Sequence, residues 1–144
     1  MTIVYDTMWQ STRLMAQAIA EGIREQSPTT TVKIYNAALN DKNDILTEVF
    51  HSRAVLVGSP TINNGYSYAI AGILEMLKGM KLKKKKGAAF GSFGWSGEAA
   101  KLITEHLKAA GIEPVNDGIR AQWVPDQDAR EQSRQCGKEF AAAL

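Results

Sequence analysis

Three stretches of this 144-residue chain gather side chains suited to holding a ligand. The first, Asp6-Thr7-Met8-Trp9-Gln10-Ser11-Thr12, offers three hydroxyls just ahead of a helical pattern. Such a segment binds anions, because the first N–H groups of a helix lack partners and its dipole favours negative charge there. The GxxxxGK[ST] pattern and its lysine are absent, so a phosphate monoester suits this loop better than a nucleoside triphosphate. The plainer role is a Ser/Thr helix cap. The second stretch, Gly58-Ser59-Pro60-Thr61-Ile62-Asn63-Asn64-Gly65, is rich in turn formers. Asn63, Asn64 and Gly65 tolerate positive φ and can present backbone groups to a neighbour. The third, Gly91-Ser92-Phe93-Gly94-Trp95-Ser96-Gly97, sets the largest side chain, Trp95, among three glycines. A core tryptophan is normally fixed by a helix or strand. One on a pliable loop is better placed to cover a flat ligand.

Regular elements must carry these loops. Apolar and β-branched runs recur at Thr2–Tyr5, Thr31–Tyr35, Ala54–Val57 and Gly87–Phe90, with a weaker fifth near Ile119 to Val124. The first and third are apolar on both faces, as strands covered by helices on both sides should be. Helical stripes fall between them: from Ser11 through Leu14, Met15, Ala18, Ile19 and Ile23; Ile45 to Phe50; Ile70 to Leu77; and Leu102 to Ala110. A last helix is expected after Pro125-Asp126. Strand–helix alternation implies a parallel sheet with right-handed crossovers. Ligands then bind beyond the carboxyl ends of the strands. All three loops follow strands, after Tyr5, Val57 and Phe90.

Taken together they resemble the phosphate loop and the two ring-clasping loops of flavodoxins, over the full length of the chain. VYDTMWQST, VLVGSPTINNG, AFGSFGWSGEA and QWVPDQDA are most similar to the flavodoxin-like domain of flavodiiron proteins, the A-type flavoproteins that include flavorubredoxins and rubredoxin:oxygen oxidoreductases. The resemblance implies a flavodoxin-like α/β fold over residues 1–144 as a single domain: a doubly wound sheet of five parallel strands, order 2-1-3-4-5, with helices on both faces. It also implies flavin mononucleotide (FMN) as cofactor. Thr7, Ser11 and Thr12, with the amides of Met8, Trp9 and Gln10, would hold the phosphate. Pro60, Thr61, Ile62, Asn63 and Asn64 would pass along one side of the flavin ring. Ser92, Phe93, Gly94, Trp95, Ser96 and Gly97 would cover the opposite face, with Trp95 stacked on it and both glycines letting the backbone approach.

The implied function is an electron relay. The donor would be rubredoxin or a rubredoxin-like or NADH reductase. The acceptor would be the diiron site of a metallo-β-lactamase-like domain that reduces oxygen or nitric oxide, in a full-length protein that pairs as a homo-oligomer. That domain's clustered His, Asp and Glu ligands are missing here, so no metal site and no catalytic residue is expected and the chain corresponds to an excised or separately encoded flavin domain. His51 and His106 read as structural or surface residues. The alternative function is a stand-alone NAD(P)H-dependent reductase of quinones or metal ions. A response-regulator receiver would need an aspartate ending the third strand, where Gly58-Ser59-Pro60 stands.

Two departures from the flavodoxin pattern carry consequences. Trp9 and Gln10 replace the usual hydroxyl and glycine of the phosphate loop, removing one hydroxyl contact and opening the loop backbone to change. Asn63 and Asn64 stand where a glycine and an acidic residue are common. Positive φ costs more at Asn than at Gly, and no carboxylate would repel an anionic reduced flavin.

The remaining features are bland. A net charge of +2 gives no sign of a nucleic-acid partner. The absence of a signal peptide or membrane-length apolar run, with one cysteine, favours a cytoplasmic protein. Cys136 reads as a packed thiol, and Trp123 as packing at the end of the last strand in preference to the alternative, a place close to the dimethylbenzene edge of the implied flavin ring. The run Lys81-Leu82-Lys83-Lys84-Lys85-Lys86 reads as a solvated turn, at the end of the sheet opposite the ligand loops.

Overall fold

The computed structural model describes residues 1–144. Eleven elements follow one another: β1 Thr2–Tyr5, α1 Ser11–Gln26, β2 Lys33–Asn36, α2 Lys42–His51, β3 Ala54–Gly58, α3 Tyr68–Met80, β4 Lys85–Phe93, α4 Glu98–Ala109, β5 Ile112–Pro114, β6 Ile119–Gln122 and α5 Gln127–Ala142. All strand pairs are parallel, in the order β2-β1-β3-β4-β5. This is the doubly wound flavodoxin-like sheet.

Alternation along the strands feeds two cores. Val4, Val55, Val57 and Ala89 point to one face and pack against α2, α3 and α4 through Ile45, Val49, Ile70, Leu74, Ile103 and Leu107. Ile3, Tyr5, Leu56, Ala88 and Phe90 point to the other, where α1 and α5 supply Met15, Ile19, Ile23 and Phe140. The two helices on that second face touch through backbone. A Cβ on Gly22 would lie 1.9 Å from the Arg134 carbonyl oxygen, and one on Gly137 would lie 2.1 Å from that of Ile19.

The sheet departs from expectation in its fifth position. One strand near Ile119 to Val124 was anticipated, and two short strands share the place. β5 pairs with Lys85–Gly87 and β6 with Phe90–Phe93. Pro114, which has no N–H, ends β5. The chain then detours through Asn116, whose Oδ1 accepts from the Gly118 N–H at 2.9 Å, and Gly118 turns back at φ 87°. β4 must be nine residues long to serve both partners. It therefore includes Ser92 and Phe93, which the sequence placed on a loop, and Lys85 and Lys86 from the lysine run.

That run is only partly a solvated turn. Lys81 and Lys84 do turn, at φ 47° and 65°. Leu82 is buried, and the Lys85 ammonium donates to the carbonyls of Phe50 and Ser52 at the end of α2. Its burial lowers its pKa below the usual lysine range. The run does lie at the amino end of β4, away from the ligand loops.

Candidate functional site

The carboxyl ends of β1, β3 and β4 bring the three loops to one edge. Hydrogen bonds link them. The buried hydroxyls of Thr12 and Ser92 meet at 2.8 Å. The Thr61 N–H donates to the Ser92 carbonyl at 2.8 Å, and Thr61 Oγ1 accepts from the Ala99 N–H at 3.3 Å. At the mouth, Ser96 Oγ donates to Asn64 Oδ1 at 3.3 Å.

The first loop ends at Gln10, which caps α1 with φ 66° and makes no side-chain cap bond. This is the conformation a glycine would favour. The Gln10 side-chain carbonyl accepts from Arg13 at 3.2 Å. Asp41, Ser67 and Asp126 cap α2, α3 and α5 with their side chains, but α1 and α4 have no such cap. The first turn of α1 therefore keeps its amides free of side-chain caps for a ligand, whereas in α4 the Ala99 N–H is already bound by Thr61 Oγ1. Beside them, Thr7 Oγ1 is buried and has no hydrogen-bond partner. A buried hydroxyl without a partner is costly, and an oxyanion would satisfy it.

Ile62 and Gly65 exchange hydrogen bonds of 3.0 and 2.9 Å around Asn63 and Asn64, at φ 50° and 57°. Two successive left-handed residues make a tight hairpin of the type that favours Asn and Gly. The turn expected from the sequence is present, with positive φ at both asparagines.

A cleft of about 740 Å³ runs between the loops. Met8, Trp9 and Ser11 line it from the first loop, Pro60 to Asn64 from the second, and Ser92 to Ser96 from the third. No charged side chain lines it. Four of the anticipated residues do not. Thr12 is fully buried, and its hydroxyl pairs with that of Ser92. Gln10 turns to Arg13, and Gly97 opens α4. Thr7 lines a neighbouring cleft of about 640 Å³ with Asp6, Tyr66 and Tyr68, which shares Met8, Pro60, Ile62 and Asn63 with the first.

Trp123 and Val124 also line the main cleft; for Trp123 packing is the preferred expectation and a place beside the ring the alternative. Because β6 lies alongside the last four residues of β4, its carboxyl end emerges at the ligand edge. Position after the final strand was the signal available in the sequence. Trp95 is 92% exposed at the rim and meets Trp123 edge-to-face, ring centroids 5.2 Å apart. The two glycines have packing reasons beyond those anticipated. A Cβ on Gly94 would come within 2.8 Å of the Trp123 indole, and one on Gly97 within 3.1 Å of the Phe93 ring.

Elsewhere, His106 shares a 2.8 Å hydrogen bond with the Tyr66 hydroxyl, and His51 is exposed at the end of α2. No three His, Cys, Asp or Glu side chains form a metal-ligating group. Cys136 is buried, and that burial pushes its thiol pKa up. No helix is long and apolar enough to cross a membrane.

Comparison with known proteins agrees with this architecture. The flavodoxin family profile matches residues 3–137. The anaerobic nitric oxide reductase flavorubredoxin of Escherichia coli O1:K1 is 50% identical over 140 residues, covering 97% of this chain and 29% of that protein. Rubredoxin oxygen:oxidoreductase from Desulfovibrio gigas superposes with a TM-score of 0.93 at 38% identity, covering 99% of this chain and 35% of that one. The flavodiiron protein from Giardia intestinalis gives 0.91 at 28% identity, covering 98% of this chain and 35% of that one. The chain spans about a third of these relatives or less, so most of each lies outside the match. The chain belongs to the flavodoxin family, and its likeness is to the flavodoxin-like part of flavodiiron proteins.

Proposed function

We propose that this chain binds FMN in the cleft between its three loops and serves as an electron-transfer domain. One observation carries the reading: an end built for an anion and a wall built for a flat ring occupy the same edge. The anion end is the α1 N-terminus without a side-chain cap, beside the partnerless Thr7 hydroxyl. The wall is Trp95 with Trp123. The residues present fit the cofactor. Bound flavin would supply one- and two-electron transfer. The chain's own part is to bind the phosphate, orient the ring and keep charge away from it.

The relatives' names support a place in the relay. A flavorubredoxin named as a nitric oxide reductase and a rubredoxin oxygen:oxidoreductase both extend well beyond this domain. Electrons would enter from rubredoxin or a rubredoxin-like or NADH reductase. They would leave for a diiron centre on a metallo-β-lactamase-like domain, in a full-length protein that pairs as a homo-oligomer. Oxygen or nitric oxide would be reduced there.

The test is titration of apo-protein into FMN, following quenching of flavin fluorescence, with riboflavin and Trp95→Ala in parallel. Quenching that is stronger for FMN than for riboflavin and weaker in Trp95→Ala is expected. A folded protein that quenches neither flavin overturns the proposal. Rapid bleaching of the bound flavin by NAD(P)H alone would make the chain a reductase in its own right.

A further inference from the structure

Trp123 holds a backbone conformation that its own burial does not explain. It follows β6 at φ 55°, a region that bulky side chains enter only where neighbours hold them. Yet the side chain is 56% exposed, so little apolar area is gained in return. Two neighbours do the holding. The Trp123 N–H donates to the Phe93 carbonyl at 2.7 Å, one residue past the β4–β6 ladder. The indole lies so close to Gly94 that any side chain there would displace it.

What this conformation gains is contact with Trp95. Their rings stand edge-to-face at 74°, a favoured arrangement for aromatic pairs. Trp95 needs the contact, being almost fully exposed on a loop between two glycines. The rest of β6 braces the same loop. Gln122 Nε2 donates to the Gly94 carbonyl at 3.1 Å, and the Arg120 guanidinium lies 6.0 Å from the Phe93 ring centroid.

We infer that Trp123 is a positioning residue for Trp95. Anchored by Phe93 and Gly94, it fixes the Trp95 indole before a ligand arrives, so the wall of the cleft is preorganised for a planar aromatic ring. The inference deepens the FMN reading and rests on it for the identity of that ring. Its physical basis is entropy: a side chain already ordered loses less freedom on binding than one that wanders.

The experiment has one readout that needs no flavin. Two indoles in fixed edge contact give an exciton couplet in the far-ultraviolet circular dichroism of the apo-protein. Trp123→Gly removes the indole at a position where glycine accepts φ 55° without strain. Gly94→Ala pushes the same indole away from the other side, and Trp123→Phe keeps an aromatic edge. The couplet is expected in the wild type and lost in Trp95→Ala and Trp123→Gly, with a weaker one in Gly94→Ala. FMN affinity should fall about two- to tenfold in Trp123→Gly and recover in part in Trp123→Phe. In the Trp95→Ala background, Trp123→Gly should cost less than about twofold, because its partner is already gone. Losses that simply add, or a couplet unchanged by Trp123→Gly, overturn the inference. A wild-type protein without a couplet overturns it too. A couplet with no FMN binding leaves the indole pair standing and overturns only the flavin reading.

Discussion

Thr12 and Ser92 lie 80 residues apart in sequence and share a buried hydrogen bond of 2.8 Å between their hydroxyls. The bond ties the start of α1 to the end of β4, so it sets the distance between the first and third loops across the cleft. Thr12→Val should leave Ser92 partnerless and lower stability by about 1–2 kcal/mol. Thr12→Val with Ser92→Ala should cost less than the sum of the single changes, since both polar groups are then gone. Urea unfolding of the four proteins checks this. Additive losses would mean that the bond is not the link.

Thr7 offers a different test, because its buried Oγ1 has no protein partner. If a phosphate is that partner, Thr7→Val should weaken FMN binding by about five- to tenfold, as expected for one hydrogen bond to a charged group. Riboflavin has no phosphate, and its binding should not change. Equal loss for both flavins would place Thr7 against the ring or in the loop's packing instead.

No charged side chain lines the main cleft, and Asn64 is exposed at its mouth. The second-electron potential of bound FMN should therefore be less negative than in typical flavodoxins. Asn64→Asp should lower it by roughly 1 kcal/mol, on the order of 40 mV per electron. A potentiometric titration decides. A wild-type couple as low as a typical flavodoxin's, or one indifferent to Asn64→Asp, would defeat the argument.

Gly22 and Gly137 predict the opposite of their helix propensities. Alanine in either helix should gain about 1 kcal/mol from propensity alone. Here each Cβ would collide with a facing carbonyl oxygen, at 1.9 and 2.1 Å. Gly22→Ala and Gly137→Ala should therefore destabilise the protein, by about 1–3 kcal/mol net as α1 and α5 are forced apart. Thermal unfolding would show a lower Tm in both. Unchanged or raised stability would mean that the helices can slide at no cost.

The sequence by itself determined the alternation of strands and helices through α4, the two-faced burial of β1 and β3, and which three loops share one edge of the sheet. These follow from local pattern. Apolar runs of strand length alternate with helical stripes, and in a parallel sheet with right-handed crossovers the loops after the strands share one edge. The asparagine turn was legible for the same reason, since Asn63-Asn64-Gly65 states its own backbone preference.

Tertiary structure decided everything that depends on which residues face one another across long stretches of chain. Thr12 lies on the helix face of Met15, Ala16 and Ile19, but that its partner there is Ser92 follows only from the packing of α1 against β4, while Ser11 lines the cleft. The fifth strand divided because β4 is long enough to pair with two short segments, and a length match between strands whose partner residues lie 27 or 29 positions apart leaves no local mark. That division carries Trp123 to the ligand edge. Gly94 likewise looked like room for a ligand, yet the space it leaves is filled by Trp123. A side chain's neighbours along the chain fix its backbone preference, but the space around it belongs to residues the chain reaches only after folding.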